Sequence, residues 1–329
     1  MINILKALLF LLFMLGPIAL GIFIIVPISG AIVRLRASYS PKGLQLDQGD
    51  DTNESSHVTP EASVGPAVIS LFNVVYRTYR LEGWPGFYKG FMPAFVSTVL
   101  YTLWAILTIP QHPQYIPRCS MHAPATDISR ALLYGFGTLV VSIPYEILFN
   151  RAVCTPHRLP WFKPMQALRI ILTPYEIRKP WMLYFTPGLL HYSKSHCQLL
   201  IMSQLRNLSS PIGSGEQNWR TKFLSRSQIE ILFLFIICST VILCPLEVFA
   251  TRLSIQRNQS KVHPTTDNTV EPPVEYIGEE EDVITLRSEE DPYTGLVDCA
   301  QRMVREEGVG SVFRAWWLTM IGVTLGAFS

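Results

Sequence analysis

Charge is scarce in this chain. Only 16% of its 329 residues are charged, against about a quarter in soluble domains, which excludes an ordinary water-soluble globule. The six cysteines (Cys119, Cys154, Cys197, Cys238, Cys244 and Cys299) form no Cys-x-x-Cys pair and lie mostly in or beside apolar segments. That pattern argues against a zinc or disulfide framework and suits buried free thiols. No His-Glu-x-x-His, Ser-His-Asp spacing or phosphate loop is present, so no enzyme class is indicated. His112 and His122 flank Cys119 without a recognisable ligand spacing. The net charge is +2 and no basic-aromatic patch stands out, so nothing points to a nucleic-acid partner. Neither a cofactor nor a metal site is expected.

Long apolar runs take the place of charge. A membrane-spanning helix needs about 20 mostly apolar residues. Ala7–Val33, Phe91–Ile109, Ala131–Val153 and Ile229–Phe249 meet that need. Met182–Met202, interrupted by His191, Lys194 and His196, and the short Ala315–Phe328 are weaker candidates. Six spans are therefore expected. The first run outlasts the apolar core of a signal peptide and is read as a retained span. Gly16 and Gly21 in the first span and Gly135 and Gly137 in the third suggest close helix approach. Trp316 and Trp317 suit the membrane interface.

The strongest signal is repetition. Pro144-Tyr-Glu146-Ile-Leu-Phe-Asn-Arg151 and Pro245-Leu-Glu247-Val-Phe-Ala-Thr-Arg252 each close an apolar run. Pro27-Ile-Ser29-Gly-Ala-Ile-Val-Arg34 is a third copy that lacks the carboxylate. The prolines lie 117 and 101 residues apart (144 − 27 and 245 − 144), a repeat that contains a span-length helix. A proline inside a helix removes one backbone hydrogen bond and is expected to kink the span.

Between the runs, polar residues 38–65 read as a mobile loop, as does the acidic stretch 257–291. Short amphipathic helices follow, with Val68, Leu71, Val74, Val75 and Tyr79 on the apolar face of the first. Trp161, Phe162, Met165, Leu168, Ile171 and Leu172 fill that slot in the second, and Tyr293, Leu296, Val297, Ala300 and Val304 in the third. A helix-opening motif then appears twice: Glu82-Gly83-Trp-Pro-Gly86-Phe-Tyr88-Lys89-Gly90 and Glu307-Gly308-Val-Gly-Ser-Val-Phe313-Arg314-Ala. Its first glycine is expected to end one helix in a left-handed cap.

In this register the two motifs resemble those of the mitochondrial carrier family, over nearly the whole chain. The resemblance implies an all-α membrane protein: a six-transmembrane-helix bundle of three pseudo-symmetric repeats with short amphipathic matrix-side helices. The repeats would be residues 1–112, 126–206 and 226–329, with both termini on the cytosolic side. It also implies a mitochondrial membrane, the inner ahead of the outer, and solute transport by alternating access. The alternative is a transport-inactive carrier fold serving as an outer-membrane adaptor in membrane dynamics. Implied partners are membrane lipid, cardiolipin included, a small solute for a transporter, and proteins for an adaptor.

The family's matrix gate pairs an acid two positions after each proline with a base three positions further on. Here the acidic positions are Ser29, Glu146 and Glu247, and the basic ones are Ile32, Phe149 and Ala250. Arg34, Arg151 and Arg252 are expected either to fold back on Glu146 and Glu247 or to snorkel to headgroups. No charge follows Tyr101 in the second span, so the cytosolic gate is not visible. By the same resemblance, substrate contacts fall nine residues past Tyr88, Tyr184 and Phe313, at Ser97, Ser193 and Gly322. Lys194, with His191 and His196, would favour a small anion.

Overall fold

The computed structural model describes residues 2–41, 70–108, 128–157, 159–160, 163–184, 190, 193–195, 197–198, 200–201, 204–205, 226–257, 283–287 and 291–328. Among these residues the chain is helical, with no strand. In chain order the helices are α1 (Ile2–Ala37), α2 (Leu71–Phe87), α3 (Phe91–Thr108) and α4 (Ile128–Cys154). There follow α5 (Pro164–Ile171), α6 (Pro174–Arg178), α7 (Arg226–Ile255), α8 (Leu296–Glu306), α9 (Val309–Val312) and α10 (Trp316–Phe328).

Three helices are long and apolar enough to cross a membrane among the described residues, through Ala19–Ala37, Phe91–Thr108 and Ile229–Ile255. Helix α4 has the length for a span, and its sequence carries Arg130, Glu146 and Arg151. Helix α10 has 13 residues, which at 1.5 Å per residue is about 20 Å and short of a bilayer core. The expected fourth span, 182–202, is described only in helical pieces.

Pro27, Pro144 and Pro245 lie inside α1, α4 and α7, and the helices run through them without a break. These three helices contact one another; α3 lies against α4 and α1, and α10 against α7. Leu20, Phe23, Ile24 and Ile28 of α1 and Phe233, Leu234, Val241 and Ile242 of α7 stay exposed. An apolar surface of this extent is of the kind that membrane or protein contacts cover.

The short helices bury a narrower face than their periodicity predicts. In α2, Val74 and Thr78 are buried while Val75 and Tyr79 are exposed. In α8 the inward pair is Cys299 and Met303, while Leu296, Val297 and Val304 face out. Helical periodicity separates apolar from polar faces but not a protein-facing side from a lipid-facing one. In α5, Ile171 is buried and Met165 exposed; Val68, Trp161 and Phe162 lie outside the described residues.

Gly83 (φ 67°, ψ −161°) and Gly308 (φ 95°, ψ 169°) break the chain after α2's first turns and after α8. This is extended backbone at positive φ, open essentially to glycine alone, rather than the left-handed helical cap expected. Of the four span glycines, only Gly137 has a close neighbour, the Trp104 indole; a Cβ at Gly16, Gly21 or Gly135 would meet nothing.

The two stretches read as mobile loops are partly ordered. Ser38 and Ser40 are buried, and so are Val283 and Ile284. Tyr39 N–H donates to Thr285 O at 2.8 Å, joining the two stretches. Both begin or end next to the bundle, so their local polarity does not decide their order. The remaining parts, 42–65 and most of 258–290, lie outside the described residues.

Candidate functional site

The end of the bundle where α1, α4 and α7 finish holds three buried arginines. Each pairs with a carboxylate of its own following short segment. Arg34 Nη2 lies 2.5 Å from Glu82 Oε2. Arg151 grips Glu176 with both terminal nitrogens, at 2.7 and 2.9 Å. Arg252 Nη2 lies 2.9 Å from Glu307 Oε1 and 3.0 Å from Oε2. The arginines are 2–4% exposed and their carboxylates 0–6%.

Each arginine also reaches the end of another long helix. Arg34 Nε donates to Val153 O (3.1 Å), Arg151 Nε to Ser254 O (2.8 Å) and Arg252 Nε to Arg36 O (3.0 Å). The accepting carbonyls stand nine positions after Pro144, Pro245 and Pro27 (153 − 144, 254 − 245 and 36 − 27). The contacts therefore close a cycle, from α1 to α4 to α7 and back to α1. A helix C-terminus has carbonyls without intrahelical partners and a partial negative charge, and a planar guanidinium meets both needs. Asn150 adds a bond from α4 to α7, Nδ2 donating to Ser254 Oγ at 2.8 Å.

The arginines thus neither fold back on Glu146 and Glu247 nor snorkel. Glu82 and Glu307 were singled out in the sequence as motif residues, but not as arginine partners. Glu176 was missed, because Ile177 stands where the other copies have glycine. A sequence signal did exist: Thr173-Pro-Tyr-Glu176 is a capping box, with Glu176 N–H donating to Thr173 Oγ1 and Thr173 N–H to Glu176 Oε2.

At Glu82 and Glu307 a second cation joins the arginine. Lys89 Nζ pairs with Glu82 Oε1 and donates to Thr155 O at 2.7 Å. Arg314 Nη2 bonds Glu307 Oε2 at 3.0 Å, and its Nη1 bonds Ser38 Oγ at 2.8 Å. Desolvation lowers the pKa of both cations, and the paired carboxylate opposes the shift. Glycine permits this closeness: a Cβ on Gly86 would stand 2.5 Å from Glu82 Oε2, and one on Gly90 would strike the Phe149 ring. Tyr88 stacks on Phe23 at 4.7 Å, and Phe313 packs against the cluster of Val248 and Met303.

Glu146 and Glu247 also have cations, though not at the expected places. Phe149 and Ala250 are buried apolar residues of the core. Lys194 Nζ instead lies 3.6 Å from Glu146 Oε2. Arg36 pairs with Glu247, and both meet Thr319, whose Oγ1 donates to Glu247 Oε2 at 2.6 Å. Arg36 was missed because it follows Pro27 by nine residues, outside the motif. Ser29 brings no charge.

The expected cavity residues differ in exposure. Ser97 is buried, and its hydroxyl donates to Ala94 O of its own helix at 2.9 Å. Ser193 and Gly322 are exposed, and His191 and His196 lie outside the described residues. The turn before the fourth span also shifts the count. Tyr88, Met182 and Phe313 N–H groups donate to Pro85, Lys179 and Gly310 carbonyls respectively. Met182 also follows Glu176 by six residues, as Tyr88 follows Glu82 and Phe313 follows Glu307 (182 − 176, 88 − 82 and 313 − 307), and nine residues on falls at His191. Among the described residues, no group of three or more His, Cys, Asp or Glu could hold a metal ion.

Residues 236–329, from within α7 to the chain end, match the family model described as "Mitochondrial carrier protein". No curated protein matches the chain.

Proposed function

We propose, from a stretch at 236–329 that belongs to the mitochondrial carrier family, that the whole chain is a carrier-like membrane protein. In this reading it has three repeats (1–112, 126–206 and 226–329) and six spans, and moves a small solute across a mitochondrial membrane by alternating access. One observation carries the reading: Arg34, Arg151 and Arg252 bond in turn to Val153, Ser254 and Arg36, each at the same step past a proline. A cycle of that kind is what three like units around one axis would form.

The gate in this reading is Glu146–Lys194 with Glu247–Arg36. The Glu247–Arg36 pair must part if α1 and α7 are to separate, and the Glu146–Lys194 pair if α4 is to leave residues 193–195; binding energy from a solute has to offset the loss. Lys194 receives an anion only by leaving Glu146, so arrival of the solute and release of that pair become one event. Ser97, Ser193 and Gly322, with His191 and His196, remain the proposed cavity floor. The exposed Phe72, Tyr76 and Trp84 of α2 suit the membrane interface, where lipid headgroups, cardiolipin among them, would lie.

A thermal-shift screen of the purified chain against small carboxylates, phosphate and nucleotides tests the reading. A binding anion is expected to raise the midpoint and to accumulate in reconstituted liposomes, and Lys194→Ala to abolish that uptake. If nothing stabilises the protein and nothing enters, the transport reading fails.

Ser29 favours a second reading. Without a carboxylate there, one of three gate pairs cannot form, as suits a carrier fold kept as an outer-membrane adaptor. Submitochondrial fractionation separates the two: protection from protease until the outer membrane is ruptured supports transport, and direct accessibility supports the adaptor.

A further inference from the structure

Residues 283–287 form a structural element of their own. Val283 and Ile284 are 7% and 5% exposed. They share one buried cluster with Val33 and Ala37 at the end of α1 and Phe149 and Val153 at the end of α4. Ile255, the last residue of α7, packs against that cluster. The last turns of all three proline-bearing helices and an apolar dipeptide from a non-helical segment therefore belong to one packed cluster.

Polar contacts seat the dipeptide. Tyr39 N–H donates to Thr285 O at 2.8 Å, and Thr285 Oγ1 returns a bond to Tyr39 O at 2.7 Å. Arg287 donates to both carboxylate oxygens of Glu306, at 3.1 and 3.2 Å, and stacks 4.7 Å from the Tyr293 ring centre. The Tyr39 hydroxyl donates to the same carboxylate at 3.1 Å. Such a wedge can leave its seat without unwinding any helix.

We propose that residues 283–287 are a removable plug: Val283 and Ile284 close the end of the bundle where α1, α4 and α7 converge, and Thr285 and Arg287 latch them in place. The seating is independent of whether the chain transports. That withdrawal opens a path for solute rests on the transport reading.

Cys154, buried in the same cluster at the end of α4, is the reporter. The full chain in detergent is treated with a small water-soluble maleimide, and modification is read by peptide mass spectrometry. Arg287→Gln, and separately Val283→Ser with Ile284→Ser, are expected to label Cys154 about tenfold faster than wild type, as loss of charge-assisted bonds or apolar seating implies. Cys244, buried in α7, reports on the rest of the fold. Acceleration at Cys154 alone supports the plug; no acceleration, or equal acceleration at both thiols, overturns it. Failure of wild-type protein to take up any solute sinks the transport reading alone, because the labelling result does not depend on it.

Discussion

The segment 163–184 and its counterparts at 71–90 and 296–315 solve one problem in two ways. In all three a buried carboxylate meets an arginine from the end of a long helix. A carboxylate offers more acceptor sites than one guanidinium fills in these geometries. Glu82 and Glu307 give the remainder to a second cation, Lys89 or Arg314, brought close by a turn that starts at a positive-φ glycine. Glu176 also accepts from its own helix through the Thr173 capping box, and Leu183 stands at the position that Lys89 and Arg314 hold in the other two segments. The ion pair is common to all three segments; the positive-φ glycine belongs to the two that carry Lys89 and Arg314.

That contrast is broken most directly by removing the arginines. Arg151→Ala removes the two-pronged guanidinium grip from buried Glu176, and is expected to destabilise by about 3–5 kcal/mol, the range for one partner of a buried pair. Arg34→Ala leaves Lys89 on Glu82 and is expected to cost at least about 1 kcal/mol less, the worth of one retained charge-assisted hydrogen bond. Urea unfolding in detergent compares them; equal losses would mean that the second cation contributes nothing.

The glycines sharpen the contrast. Gly83→Ala and Gly308→Ala force a side chain into backbone reserved for glycine, and should each destabilise by about 1–3 kcal/mol. Ile177→Gly, at the matching place in a helical turn, should cost only about 1 kcal/mol, through added freedom of the unfolded chain. Thermal midpoints of the three variants would order them, and a larger loss at Ile177 would reverse the assignment.

The smallest effect is expected from acid. Asp291 and Asp298 border α8 with pKa values held below 3.8, by the Arg302 side chain for Asp291 and first by the Thr294 backbone N–H for Asp298. A depressed folded pKa contributes stability that is complete above the unfolded value and lost as pH falls through the folded one. Amide exchange at 294–300, corrected for intrinsic rates, should therefore quicken below about pH 3.8.

Much of this was legible in the residues. Pro27, Pro144 and Pro245 marked the long helices, Arg34, Arg151 and Arg252 marked their ends, and Gly83 and Gly308 marked the turns. The partners were not legible. Glu176 lacks the following glycine, Arg36 lies beyond the motif, and Val283 sits in a stretch whose acidic neighbours suggest solvent. The faces differ for one reason throughout: Val75, Tyr79 and Val297 are apolar yet exposed, and periodicity reports polarity without direction.

Local physics, acting along the chain, determined where helices run, where proline interrupts their bonding and where only glycine can turn. The tertiary structure alone decided which charges meet. Arg252 and Arg36 O are 216 positions apart, and an attraction that fades within about 10 Å in salt water selects partners only after packing has brought them together and driven the water out.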